Sequence, residues 1–463
     1  GSVGAEWGGY NVSTIGSPQP GENGSAAFIG EKIEVNGGRL ELTGGNGGDG
    51  TTAKGTIKDG GKGGEGFSGK EIIVDRGTAI IDAGKSAYNK NGSPAFSGEK
   101  FNATNATFIS VGGGAGGSGK DGGDAFSGAE VVIEKCDYVN IQGGKGGAKG
   151  TGGCGVNGGT FKLKDVSGVQ TGAEIIGGAG NGDTDGNGGD AFKNTTVTIE
   201  NSSLTVYGGD GASGANYDGD DTSGTIGGKG GKGGNGATGV SMNITNSTVK
   251  FSGGKGGNGG NGRGPIHISQ LLFDYNSYNG GDAGNGGSAL KGSALTLKGS
   301  TVNFNAGDGG NGGKGAKSVN EQPPKGGNGG NGGSALEGST LDLEDSTASI
   351  ISGNAGEGGA GGVESTPTDP AVGEDGSDGT DGNAVTADTT LPDMDGKIIR
   401  IKVSSHGSDE FETWDKETAL DTYRAINVIA HNTHKYVYSA SDAKITVTCS
   451  VEDCDEINDT LTL

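Results

Sequence analysis

Apolar residues recur along this chain in one grammar: apolar-x-apolar, four residues, apolar-x-apolar. Ile33 and Val35 go with Leu40 and Leu42, Val197 and Ile199 with Leu204 and Val206, and Met242 and Ile244 with Val249 and Phe251. Leu295 and Leu297 go with Val302 and Phe304, Leu341 and Leu343 with Ala348 and Ile350, and Val131 to Ile141 repeats the pattern with one extra residue. Such alternation predicts strands with one buried face. An apolar anchor led by Ala or Gly opens each unit, at Phe28, Phe67, Phe96, Phe126, Phe161, Phe192, Val240, Leu290, Leu336 and Val385. The mean period is about 40 residues, within the range of solenoid repeats. The four-residue link carries Gly37, Asn201, Asn246, Gly299 or Asp345 at its second position. These residues tolerate left-handed backbone, so the link fits a hairpin turn or a corner between two strands of a coil. Stacking equivalent strands coil upon coil would bury the apolar face in one continuous core.

Between the strand pairs glycine runs in triplet phase, as in GGNGGDG, GGKGGEG, GGKGGNGGNG and KGGNGGNGG. A period of three is that of a polyproline-II-like helix. The chain typically leaves the second strand through one such run and returns through another. Such a helix has no internal hydrogen bonds, so its amides and carbonyls must pair with neighbours or water. Runs from successive coils would lie side by side, and glycine alone lets their backbones approach. The expectation is a slab of polyglycine-II-like helices beside the strand core; the alternative is a set of irregular glycine-rich loops.

Composition narrows the classes. Of 463 residues 108 are glycine and only 29% are hydrophobic, too few for a conventional globule of this length. The in-register recurrence of the apolar residues argues against a flexible low-complexity chain. A net charge of −23 argues against nucleic acid and against docking on anionic lipid. No apolar run reaches membrane-spanning length, so direct membrane insertion is not expected. The cysteines are Cys136, Cys154, Cys449 and Cys454. None forms a CxxC pair, and two disulfides in an oxidising compartment are expected: Cys449 with Cys454 around SVED, and Cys136 with Cys154 within one repeat.

The corner pattern, apolar-x-apolar-x-(N/G/D)-S-(S/T)-apolar-x-apolar, and the GG-x-A-apolar anchors resemble right-handed parallel β-helix proteins. These are the pectate-lyase-like superfamily and the passenger domains of autotransporter adhesins. The resemblance covers residues 25–390 and speaks to fold far more than to function. The glycine runs depart from that family in length and regularity, and resemble the glycine-rich tracts of mycobacterial surface proteins and polyglycine-II adhesin tips. The expected fold class is an all-β solenoid, a right-handed parallel β-helix with lateral glycine-rich arms, plus a small C-terminal α+β module. The expected domains are an N-terminal segment or cap at 1–24, the repeats at 25–392 and the module or cap at 393–463. In the module, Lys397–Val403, Tyr436–Tyr438, Lys444–Cys449 and Thr460–Leu463 read as strands. Lys416–His431, with Ala419, Tyr423, Ile426 and Ala430 at helical spacing, reads as a helix. Gly1-Ser2 reads as a cloning remnant and the chain ends on a strand-like TLTL, so the natural protein is expected to continue.

Few residues suggest chemistry. Asp375, Asp378 and Asp381 in EDGSDGTDGN would line one edge of a three-per-turn helix and could suit Ca²⁺; the competing reading is a solvated acidic loop. Asp183, Asp185 and Asp190 are a weaker version. The insertion at 263–279, RGPIHISQLLFDYNSYN, breaks the glycine pattern with Ile266, His267, Phe273, Tyr275 and Tyr278, a natural place for binding or for packing on a neighbouring arm. Residues 216–223 form an acidic tip. His431 and His434 could make a metal pair but lack other clear ligands. Chance GxGxxG matches carry nothing in a chain so rich in glycine. The sequons do not by themselves imply glycosylation. The function expected is a secreted or cell-surface scaffold or adhesin, non-catalytic and without cofactor other than Ca²⁺. Its partners would be a surface glycan or protein receptor, or other copies in a fibre. The alternatives are a polysaccharide-acting β-helix enzyme, a filament-forming matrix subunit and an ice- or surface-binding protein.

Overall fold

A computed structural model describes residues 20–50, 52–53, 56–167, 172–181, 185–216, 227–262, 278–316, 323–363, 371–391, 398–431, 436–441, 444–449 and 459–462. The alternating segments become strands that pair in parallel with their equivalents one unit away, building one long sheet system of 26 strands. Met242 and Ile244 sit between Val197 and Ile199 on one side and Leu295 and Leu297 on the other. Val249 and Phe251 lie likewise between Leu204 and Val206 and the pair Val302 and Phe304. Neither strand of a unit pairs with the other, so the four-residue link is a corner of a coil and not a hairpin turn. The inward residues of these rows are almost wholly buried in one continuous core, as a stack requires when no single coil can bury its own apolar face. Aromatic rings stack along it, Phe67 on Phe96 at 5.0 Å and Phe251 on Phe304 at 5.5 Å between centroids.

A third, shorter row comes from the anchors. Phe67, Phe96, Phe126, Val156, Phe192, Ala237, Leu290 and Leu336 are in register, and Val385 bridges to Leu336. Two of the anchors expected from sequence are thereby corrected. Phe161 lies on the first strand of the pair, opposite Val131 and Val197, and Val240 lies in the bend after Ala237. From Phe126 to Leu336 the residue two places after each anchor is left-handed, at Gly128, Gly158, Asn194, Gly239, Gly292 and Gly338.

The corner residue is left-handed in every coil, with φ of +77° at Gly37, +53° at Asn105, +46° at Asn201, +48° at Asn246 and +48° at Asp345. Asn and Asp reach this region at less cost than most residues with a Cβ. The next residue turns inward. Ser202, Ser247, Ser300 and Ser346 are buried, and each hydroxyl donates to the carbonyl two residues earlier at 2.7–2.8 Å. Each also accepts the amide of the corner one coil back: Val166 N to Ser202 Oγ, Ser202 N to Ser247 Oγ, Ser247 N to Ser300 Oγ and Ser300 N to Ser346 Oγ. The serine ladder thus satisfies backbone groups that the corner removes from the strand ladders. The corner asparagines point outward, Asn246 Nδ2 reaching Asn201 Oδ1 at 3.4 Å on the exposed surface.

The C-terminal segment corrects the expected helix. Lys416–His431 holds only a 3-10 turn at Leu420–Thr422 and then a strand, Ala425–His431. Ile426, Val428 and Ala430 are buried in alternation, and the β-branched residues favour the strand over the helical spacing of the same sequence. That strand runs antiparallel to Ser346–Ile351, the last strand of the stack, and to Ile398–Ser404. Tyr436–Ser441, Lys444–Cys449 and Asp459–Thr462 form a separate three-stranded antiparallel sheet. The described C-terminal residues are therefore β-structured rather than α+β.

Two buried serines should respond oppositely to truncation. Ser247→Ala strands the Ser202 amide and should cost about 1–3 kcal/mol in denaturant unfolding. Ser352, whose hydroxyl is buried without a partner, should be neutral or stabilising when replaced by alanine.

Candidate functional site

The glycine runs are built by hydrogen bonds between coils. In the run 253–261 the first amide of each triplet donates to the following coil: Gly253 to Asn305 O, Gly256 to Asp308 O and Gly259 to Asn311 O, at 2.8–2.9 Å. The second amide donates to an adjacent returning run, Gly254 to Gly234 O, Gly257 to Gly231 O and Gly260 to Gly228 O, each at 2.8 Å. The third amide finds a side chain one coil back, Lys255 N on Asp210 Oδ1 at 2.8 Å and Asn261 N on Asn216 Oδ1 at 2.7 Å. Glycine is required here for space. A Cβ on Gly254 would collide with the carbonyl of Gly209, and one on Gly257 with that of Ala212.

The Asn and Asp rows are the part that sequence reasoning missed. Asn285 Oδ1 accepts the amide of Asn331, and Asn331 Oδ1 accepts that of Thr380, both at 3.0 Å. Asn187 Oδ1 takes Lys232 N at 2.8 Å. The signal was present: Asn187, Lys232, Asn285, Asn331 and Thr380 each stand five residues before an anchor in register. A short polar side chain carrying an oxygen at that depth is what the next amide needs.

The acidic triplet is explained the same way. Asp375, Asp378 and Asp381 lie in the last returning run, and their Oδ1 atoms accept the amides of Gly361, Gly358 and Ala355, each at 2.7 Å. They are strung along the arm instead of gathered round a point. Among the described residues no group of three or more His, Cys, Asp or Glu is placed to hold a metal ion. In the structure these carboxylates accept backbone amides. The second Asp381 oxygen faces His406 Nδ1 at 3.5 Å. Asp190 Oδ1 accepts Asn235 N at 2.7 Å, and Asp183 lies outside the described residues.

The expected Cys136–Cys154 disulfide is not formed; both thiols are free and buried. Cys136 sits in the bend between Glu130–Glu134 and Val139–Gln142, with Sγ 3.4 Å from Glu134 O. Cys154 sits at the foot of a glycine run, where its amide donates to Asp124 Oδ1 at 2.7 Å. Burial pushes the Cys136 thiol up to about 11 and the Cys154 thiol further still. Cys454 lies outside the described residues, as does the side chain of Cys449. Ile266, His267, Phe273 and Tyr275 also lie outside them, as do most of the acidic tip and His434. Tyr278 is described; it is half-buried and its carbonyl accepts the Ala316 amide at 3.1 Å.

What the arms offer to solvent is the row of third-position side chains. Ser213, Asn216, Asn258, Asn261, Lys314 and Glu357 line a shallow depression of about 540 Å³ on the outgoing runs. A second, of about 460 Å³, lies where the runs leave the strands, with Tyr207, Asp210, Lys255 and Asp308 in its lining and Lys250 Nζ 5.9 Å from the centre of the Tyr207 ring. No protein-family model matches this chain, and comparisons with curated proteins and with solved structures give no match either. No helix among the described residues is long and apolar enough to cross a membrane.

Two outcomes follow from this geometry. Alkylation followed by peptide mapping should leave Cys136 and Cys154 unmodified in the folded protein and label both after denaturation, because buried neutral thiols are poor nucleophiles. Asn331→Ala should lower stability by about 0.5–1.5 kcal/mol, while Asn331→Asp, which keeps the acceptor, should stay close to the parent in thermal unfolding.

Proposed function

We propose that the chain is a right-handed parallel β-helix carrying a slab of packed polyglycine-II helices. In this reading it is a secreted or cell-surface scaffold or adhesin, non-catalytic, that engages a surface glycan or protein receptor through the exposed side chains and tips of its glycine arms. The observation that carries this reading is how the arms use their backbone. Their amides are spent on neighbouring arms and on the third-position Asn and Asp side chains, so third-position residues are held in fixed rows that leave others, such as Lys314 and Glu357, exposed to solvent. A core extended sideways by rigid arms gives a broad polar surface at little apolar cost, and such a surface suits recognition or display.

The strand faces support the same reading. The outward positions change type from coil to coil, as Thr198, Asn243, Thr296 and Asp342 in one row and Thr205, Lys250, Asn303 and Ser349 in the next. A polysaccharide-cleaving site would need carboxylates gathered with a basic residue on one face. The acidic surface favours a soluble extracellular setting over nucleic acid or anionic lipid.

Arrays of immobilised glycans and extracellular proteins, probed with and without Ca²⁺, test this proposal. Saturable binding that survives chelation, with intact glycan recovered, is the expected result. Cleavage of a bound glycan would replace it with the enzyme reading. Absence of binding together with polymers in electron micrographs would replace it with a structural fibre.

A further inference from the structure

The glycine slab has a direction. The first amide of each triplet donates towards the following coil, as Ala306, Gly309, Gly312 and Gly315 do onto the carbonyls of Ile351, Asn354, Glu357 and Ala360. One edge of the outgoing layer is therefore a row of donors and the opposite edge a row of acceptors. At the acceptor edge, no amide among the described residues donates to the carbonyls of Asn46 and Asp49. The two edges are complementary. A second copy could set its acceptor edge on an open donor edge and continue the stack, just as one coil follows another. An open row of backbone groups is a template for such pairing.

That donor edge is filled. The equivalent amides of the last outgoing run are Ser352, Ala355, Gly358 and Gly361. Ser352 N goes to Arg424 O at 3.0 Å, and the other three go to the carboxylates of Asp381, Asp378 and Asp375. The three aspartates occupy the triplet position that is Gly326, Gly329 and Gly332 in the preceding returning run. There a Cβ would collide with the carbonyls of Gly359, Gly356 and Gly353. A side chain is tolerated at this position in the last run because no further run packs over it. The strands beside it are covered as well: Leu336 by Val385, Thr340 by Thr390 and Ser346–Ile351 by Ala425–His431.

We propose that Asp375, Asp378 and Asp381 are a built-in stop, which ends the slab and withholds its donor edge from the acceptor edge of a second copy. The protein is thereby a unit of fixed length instead of a segment of a fibre. The stop acts through an oxygen acceptor at the right place and does not depend on negative charge.

Three triple variants of the full chain separate the parts of this proposal. Asp375→Asn/Asp378→Asn/Asp381→Asn keeps an acceptor oxygen and should remain monomeric, with a melting temperature near the parent. Asp375→Ala/Asp378→Ala/Asp381→Ala loses the acceptors and should melt several degrees below the Asn variant. Asp375→Gly/Asp378→Gly/Asp381→Gly restores the ordinary glycine pattern and opens the amides. In size-exclusion chromatography with light scattering it should self-associate as concentration rises, while the parent and the Asn variant, which has the same net charge as the Gly variant, do not. An Ala variant that melts with the parent would show that the carboxylates do not hold these amides. A Gly variant that stays monomeric at every concentration, or a parent that already forms head-to-tail polymers, would overturn the stop. Should the Gly variant not fold, the single variant Asp378→Gly carries the same association test, since an alanine Cβ at this position would still clash with an incoming run.

Discussion

The structure depends on one constraint: arms built largely of glycine must find a partner for each amide they remove from water. Glycine offers no side chain to bury, and ordering it costs more conformational entropy than any other residue. Hydrophobic burial stabilises the strand core but cannot hold the arms. What holds them is repetition at the spacing the core sets. Adjacent strands in a sheet lie about 4.8 Å apart, and arms leaving successive coils inherit that spacing, so an amide in one arm faces a carbonyl in the next. The core positions the arms, and the arms broaden a core that is itself narrow.

The same constraint explains the residues that are not glycine. Asn and Asp recur at the third position because their side-chain oxygen accepts the amide of the third residue one coil on. Serine recurs after the corner because its hydroxyl meets a carbonyl and an amide at once. At the end of the slab, where no coil supplies carbonyls, aspartate takes over. Each of these is a short polar side chain replacing a backbone partner that the geometry has removed.

Much of the core was legible in the sequence because strand period and corner chemistry agree. Val197 to Phe304 could be aligned by eye, and the left-handed corners at Asn201 and Asn246 followed from residue type. Anchors were less secure, since Ala237 carries little hydrophobic signal and Phe161 carries too much. The segment ending at His431 misled because Ile426 and Ala430 fit one face of a strand as well as a helical spacing with Tyr423; pairing with the last coil decides between them, and pairing is non-local. The aspartate triplet was visible as a pattern, but its role was not. A carboxylate row looks alike whether it awaits a cation or holds amides that lie 14 to 26 residues away.

Amide hydrogen exchange tests the central claim most directly. If the glycine runs are bonded coil to coil, the amides of Gly253, Gly254, Gly256 and Gly257 should exchange about as slowly as those of the neighbouring strand at Val249 and Phe251. The first and second amides of each triplet should be protected together. Exchange of those glycines at the rate of an unstructured chain, with the strand still protected, would contradict the account and leave only the β core standing.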